Sequence, residues 1–199
     1  MPGWRMLGTF AVSLLLFSAN TRLDAALPDF PLDAPVDSAL TNWPIYAYVL
    51  AFAGVLIPLK ARVKVLLSGL AGFGLASLLC AFASDMLTGD LDVPGGVLIG
   101  GRAVQGLSAA IAVRAGYGLV LAAFPAQAWK AVVMPTAAIL VGVGLGPVPV
   151  AAVDDHLSYG WIFLIDALLS VMLVAAVMVF TPRSERGPAL REPDRLDPA

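Results

Sequence analysis

Four ionisable side chains fall within or at the edge of apolar stretches, where charge is unusual. Arg22 and Asp24 lie near the end of the first stretch, Arg102 lies in the fourth and Asp166 in the sixth. A charge at the centre of a bilayer costs roughly 2.5–3.5 kcal/mol on insertion scales, so such residues are functional candidates. A guanidinium holds a nearby carboxylate ionised until a proton or a substrate displaces it. We therefore expect Asp24, Arg102 and Asp166 to meet around one cavity and to couple protons or bind substrate.

Each candidate also has a plainer interpretation. Arg22 and Asp24 could simply reach the lipid headgroups from the end of a span, and we favour this for the pair. Arg102 lies some seven residues inside its stretch, and Gln105 follows one turn later on the same face, which favours a role in a helix-bundle interior. Asp166 is equally compatible with a buried proton carrier and with a polar residue near a helix end.

The other polar residues form no recognisable catalytic constellation. His156, the only histidine, lies beside Asp154 and Asp155, which is more typical of a solvated acidic loop than of a metal site. Cys80 is the only cysteine, so neither an intrachain disulfide nor a cysteine-based metal cluster can form. The sequence therefore predicts no enzyme, cofactor or metal site. Because charges of each sign are segregated by loop, nucleic-acid binding is not expected either.

Six long apolar segments carry the candidate residues. The sequence is 59% apolar and 13% charged, whereas soluble domains carry roughly 25% charge. Runs of ~20 apolar residues are long enough to cross a hydrocarbon core of ~30 Å. Inside lipid the backbone must satisfy its own hydrogen bonds, which favours helices. We predict an all-α membrane protein, a bundle within residues 1–181 with spans at about 6–26, 43–59, 63–83, 95–123, 131–153 and 161–181.

Basic residues in alternate connections orient this bundle. Arg5, residues 60–64, Lys130 and the tail carry the lysines and arginines, whereas the other connections contain aspartates and neither Lys nor Arg. The positive-inside rule then places both termini in the cytoplasm. Residues 182–199 lack apolar periodicity, and we predict a disordered cytoplasmic tail. In a competing interpretation the first span is a cleaved secretory signal, which leaves five spans and keeps the other loops where they are.

Glycines recur inside the predicted spans. In lipid, small residues let helix backbones approach closely, so these glycines indicate helix–helix faces. The Gly142-x-Gly144-x-Gly146 run is also similar to a nucleotide-binding loop, but no strand precedes it, and we assign it to packing. The glycines concerned are Gly69, Gly72, Gly74, Gly96, Gly100, Gly101, Gly142, Gly144 and Gly146.

Short motifs follow one another in a specific order. The first span ends in Ala26-Leu27-Pro28, and the fourth contains Gly101-Arg102-Ala103-Val104-Gln105-Gly106 followed by Ala109-Ala110. The fifth contains Gly142-x-x-x-Gly146-Pro147, and the sixth opens with Trp161-Ile162-Phe163-Leu164-Ile165-Asp166. Over roughly residues 10–180 this set resembles the amino-terminal six-helix half of a major facilitator superfamily transporter, especially the fourteen-helix drug:proton antiporters.

The resemblance implies a function. Arg102 and Gln105 would belong to a proton-coupling region, while Gly106, Gly142, Gly146 and Pro147 would shape closely packed helices. The chain would be a half-size relative of multidrug efflux transporters in a bacterial inner membrane, moving a small amphipathic substrate against protons. Alternating access rocks two bundles about a shared site, so a homodimer or a second six-helix half would be required.

Departures from the family pattern support a second hypothesis. The connection after the second span, residues 60–64, is short and contains no acidic residue, whereas the family carries a G-x-L-x-D-R-x-G-R-R motif there. Asp24 and Asp166 each stand where the resemblance leads one to expect asparagine. The alternative is therefore a truncated or accessory membrane subunit that does not transport.

Overall fold

The described part of the structure, a computed structural model, is helical throughout. It covers residues 43–54, 63–87, 95–123 and 160–180, with single helical positions at 129, 132, 133, 136, 137 and 140. We number the four continuous helices α1 (Trp43–Gly54), α2 (Val63–Leu87), α3 (Gly95–Ala123) and α4 (Gly160–Phe180). The predicted first span, most of the fifth, the loops and the tail lie outside the described residues.

The described helices agree with the predicted spans. α3 begins and ends where the fourth span was predicted, and α4 is displaced by a single residue from the sixth. Three segments are long and apolar enough to cross a membrane: Val63–Ser84, Gly96–Ala122 and Gly160–Val179. α1 is a shorter apolar helix, and the rest of its predicted span lies outside the described residues. The prediction of an all-α membrane bundle is confirmed.

Serines within α2 satisfy their own hydrogen-bonding groups. Ser77 Oγ donates to the carbonyl of Phe73 at 2.8 Å, and Ser84 Oγ donates to the carbonyl of Ala81 at 2.8 Å. Because the donated proton goes to the preceding turn, a hydroxyl can enter an apolar bundle without leaving an unsatisfied donor. α2 can therefore remain helical while carrying polar side chains to its buried face.

α2 lies at the centre of the described bundle. It packs against α3 on one side and α4 on another, while α1 packs against α3. The largest core cluster draws on all four described helices and consists mainly of Tyr48, Val63, Leu66, Leu70, Phe73, Ala109, Ala112, Ala115, Leu173 and Val177. Many apolar side chains, such as Leu75, Phe82, Leu168 and Val179, face outward, as is favourable where the solvent is hydrocarbon.

Glycines set how closely the helices approach. A Cβ added to Gly69 of α2 would lie 2.6 Å from the backbone nitrogen of Ala112 in α3, and one added to Gly74 would lie 3.0 Å from Ser170 Oγ in α4. The predicted packing role is confirmed at Gly69, Gly72, Gly74 and Gly101, each of which contacts another described helix.

The prediction is wrong for two glycines of α3. At Gly96 and Gly100 an added Cβ would meet no atom of the described structure within 4 Å, and both residues are exposed. Gly100 shares its stripe of the helix with the exposed Val104 and Leu107, one and two turns on. This stripe points away from α1 and α2, so a glycine in an apolar span does not by itself identify a contact face.

We predict that Gly69→Ala destabilises the protein and that Gly100→Ala does not. The new methyl group at position 69 would overlap the backbone of Ala112, and such overpacking typically costs about 1–3 kcal/mol. At position 100 the methyl meets open space, and alanine favours a helix over glycine by roughly 0.5–1 kcal/mol. Thermal unfolding in detergent, followed by tryptophan fluorescence, measures both. Equal unfolding temperatures for the two variants would contradict the α2–α3 packing.

Candidate functional site

The guanidinium of Arg102 lies where the described helices converge. The side chain belongs to α3 and is completely buried. Its Cζ atom lies 4.7 Å from the ring centroid of Tyr48 in α1 and 5.7 Å from that of Phe163 in α4. Its Nη1 donates a hydrogen bond of 2.6 Å to Oε1 of Gln105, one turn further along α3. The interior position that the sequence favours for Arg102 is therefore the one it occupies.

Gln105 extends this contact to α2. It is fully buried, and its Nε2 donates to Ser77 Oγ at 2.8 Å. A guanidinium can only donate, so the amide must present its oxygen to Arg102 and its nitrogen to Ser77. The Ser77 hydroxyl accepts this bond and itself donates a hydrogen bond to the Phe73 carbonyl. A continuous polar chain thus runs from the charge on α3 to the backbone of α2.

The glycines that flank Arg102 make room for its neighbours. A Cβ at Gly106 would overlap the carbonyl of Tyr48, so the α1 backbone approaches α3 here as closely as a glycine allows. A Cβ at Gly101 would lie 2.8 Å from the sulfur of Cys80 in α2. Arg102 and Gly106 are one turn apart on the same face. The close approach at Gly106 therefore brings the Tyr48 ring over Arg102.

Asp166 is buried in the turn of α4 that approaches this centre. Only 4% of its surface is exposed, and it follows Phe163 by three residues, so both lie on the same side of the helix. The structure therefore brings together Arg102, Gln105 and the turn that carries Asp166. The other predicted site residues, Asp24, Gly142, Gly146 and Pro147, lie outside the described residues, as does Arg22.

Sequence reasoning missed two contributors to the site. Tyr48 is 1% exposed whereas Tyr46, two residues earlier on α1, is 50% exposed, and nothing in the sequence of this apolar helix separates them. Ser77 could have been noticed as a hydroxyl in an apolar span one turn from Gly74. That signal is weak, because Ser68 has the same character and is exposed.

We predict that the polar chain contributes measurably to stability. Gln105→Leu removes the oxygen that accepts from the buried Arg102 Nη1 and the N–H that donates to Ser77 Oγ, and such a loss typically costs about 1–3 kcal/mol. Ser77→Ala removes two neutral hydrogen bonds, the one accepted from Gln105 and the one donated to the Phe73 carbonyl, and should cost about 1–3 kcal/mol. Ser68→Ala is the control, since that serine is exposed and bonds only its own helix, and its effect should stay within about 0.5 kcal/mol. Unfolding free energies in detergent decide, and equal values for Ser77→Ala and Ser68→Ala would contradict the chain of bonds.

Several curated relatives are similar over almost the whole sequence. The puromycin resistance protein pur8 of Streptomyces alboniger is 29% identical over 198 residues, which is 94% of this chain and 37% of the relative. The uncharacterized MFS-type transporter EfpA of Mycobacterium tuberculosis is 28% identical over 192 residues, 92% of this chain and 33% of the relative. The multidrug efflux pump LfrA of Mycolicibacterium smegmatis is 27% identical over 189 residues, 90% of this chain and 35% of the relative.

The chain thus spans about a third of the length of these relatives. No solved structure matches it. A family model matches residues 6–198, which includes every described helix and every motif singled out above. On this evidence the chain belongs to the Major Facilitator Superfamily.

Proposed function

We propose that this chain forms one bundle of a proton-coupled exporter of small amphipathic compounds, with Arg102 and Gln105 at its coupling centre. The observation that carries the proposal is the complete burial of Arg102 among residues from all four described helices. An arginine placed inside a membrane bundle is costly and is rarely kept without a function.

The proton that is exchanged for substrate must be carried by a group other than Arg102. A guanidinium does not release its proton in proteins, so Arg102 supplies a permanent positive charge rather than a proton. That charge favours the ionised form of a nearby carboxylate. Protonation of the carboxylate, or binding of an anionic substrate group, would weaken the attraction between the carboxylate and Arg102. Asp166 is the described candidate for this carboxylate, because it is buried one turn from Phe163. Asp24 is a second candidate from the sequence.

The names of the relatives support the choice of substrate. One is a puromycin resistance protein and another a multidrug efflux pump. Export of small, partly apolar drug-like compounds is therefore the activity that we propose for this chain. The basic connections predicted from the sequence favour an orientation with both termini in the cytoplasm.

Transport in this proposal needs a second bundle. Alternating access moves two bundles about a site at their interface, and one bundle alone has no opposing wall. The chain covers between 32% and 40% of the relatives compared, which supports the idea that another six-helix unit completes the transporter. A second copy of this chain, a separate partner or a further stretch of the same polypeptide could supply it.

A non-transporting accessory subunit is the alternative function. It is favoured by the connection at residues 60–64, which contains no acidic residue to form the salt bridges of the family's loop motif. Such a subunit would keep the packed helices described above without exchanging substrate for protons. It would copurify with a larger membrane complex.

We predict that Arg102→Ala strongly slows substrate-driven proton movement. Purified protein is reconstituted in vesicles containing a pH-sensitive dye, and ethidium, an amphipathic cation, is added outside. Wild type should move protons, whereas Arg102→Ala should be about tenfold slower or worse, because the permanent charge at the coupling centre is gone. Arg114→Ala is the matched control, since this arginine lies on the same helix and is exposed. Unchanged proton flux in Arg102→Ala would contradict the proposal.

The same vesicles distinguish the two functions. Native mass spectrometry of the reconstituted protein gives the number of bundles in the active particle, and the proposal expects two. Flux from particles containing one copy of the chain would contradict the need for a second bundle. Absence of flux both from wild type alone and from the complex with which it copurifies would favour the accessory subunit.

A further inference from the structure

We propose that Tyr48 and Phe163 form an aromatic clamp that positions the Arg102 guanidinium, and that Gly106 sets this clamp. The proposal adds two positioning residues to the coupling centre, and it rests on the proposed function only for its effect on transport. The clamp is defined by the two ring contacts to Arg102, one from α1 and one from α4.

Distance and burial both favour a strong contact. Both ring centroids lie within about 6 Å of the guanidinium carbon, the range in which a cation and a ring attract each other. Tyr48 is 1% exposed and Phe163 is 5% exposed, so water does not weaken the attraction. Ring contacts also leave the N–H donors of arginine available for hydrogen bonds such as the one to Gln105. The rings and the amide can therefore hold the group together.

The position of Tyr48 is fixed from two directions. Its backbone lies against Gly106 of α3, where no larger residue would fit without displacing α1. Its ring stacks on Phe52, one turn further along α1, with centroids 6.3 Å apart and planes inclined by 14°. The other aromatic pair of α1, Trp43 and Tyr46, is exposed and packs edge to face. Tyr48 is thus the buried aromatic residue of α1.

A clamp of rings differs from a salt bridge in its effect on charge. The face of an aromatic ring attracts a cation through its quadrupole and does not neutralise it. The positive charge of Arg102 would therefore be held in place and would still act on a carboxylate or on an anionic group of a substrate. Loss of either ring should let the guanidinium move, which would change how a proton is bound nearby.

Fluorination tests the clamp with little change of shape. Replacing Phe163 by mono-, di- and trifluorophenylalanine progressively weakens the negative face of the ring. In the full chain we expect the unfolding temperature to fall stepwise, by about 2–4 °C at the trifluoro step. In an Arg102→Met background the same series should have no effect, because the cation is absent. The same series at Phe82, which is exposed on α2, is the control.

A second measurement leaves Arg102 unchanged and so does not depend on folding of Arg102→Met. In protein labelled with ¹⁵N-arginine, the side-chain N–H signal of Arg102 should carry a ring-current shift. Tyr48→Leu should remove most of that shift, and Tyr48→Phe should preserve it. In active protein, the pH dependence of proton flux should move in Tyr48→Leu and return to the wild-type profile in Tyr48→Phe.

The outcomes separate the clamp from the transport proposal. A stepwise loss of stability that requires Arg102, with the predicted signal shifts, supports the clamp even if no transport is found. Fluorination effects that are equal with and without Arg102, or an Arg102 signal that is the same in Tyr48→Leu and wild type, overturn the clamp whether or not the protein transports.

Discussion

Burial of one permanent positive charge constrains the helices around it. The guanidinium of Arg102 cannot be neutralised by losing a proton, so a bundle that contains it must surround it with groups that attract a cation or accept its hydrogen bonds. The amide oxygen of Gln105 and the rings of Tyr48 and Phe163 are such groups. They come from three helices, and Ser77 adds the fourth through Gln105. Each of the helices α1–α4 therefore contributes a residue that the burial of Arg102 requires, directly or through Gln105.

Close helix packing makes this arrangement possible. Lipid chains are as apolar as the side chains they surround, so association in a bilayer depends on contact and on hydrogen bonds rather than on hydrophobic burial. Gly69 and Gly106 bring α3 against its neighbours at backbone distance, and Gly74 admits Ser170 of α4. Ser170 then donates a hydrogen bond across the interface to the carbonyl of Leu70 in α2. The polar centre is thereby held by a closely packed frame of small residues.

The sequence predicts the helices better than their faces. Length and apolar composition locate α2, α3 and α4 to within a few residues, because crossing hydrocarbon requires a minimum helical length. The interior position of Arg102 follows from the cost of exposing a charge to lipid. Which face of each helix is buried could not be predicted, because in a bilayer the buried and the lipid-facing positions are both apolar. Hence Tyr48 could not be distinguished from Tyr46, nor Gly101 from Gly100, until the packing was known.

A site of this kind explains how a bundle could respond to the binding of a proton or a charged substrate group. Either of these, when it binds near a fixed cation, alters the attraction between that cation and its neighbours.

The most direct test is hydrogen exchange of arginine side chains by NMR in lipid nanodiscs, with the Arg102 signal identified by its loss in Arg102→Lys. We expect the N–H groups of Arg102 to exchange much more slowly than those of Arg114, which is exposed on the same helix. Equally rapid exchange of both arginines would show that Arg102 is open to solvent and would contradict the account.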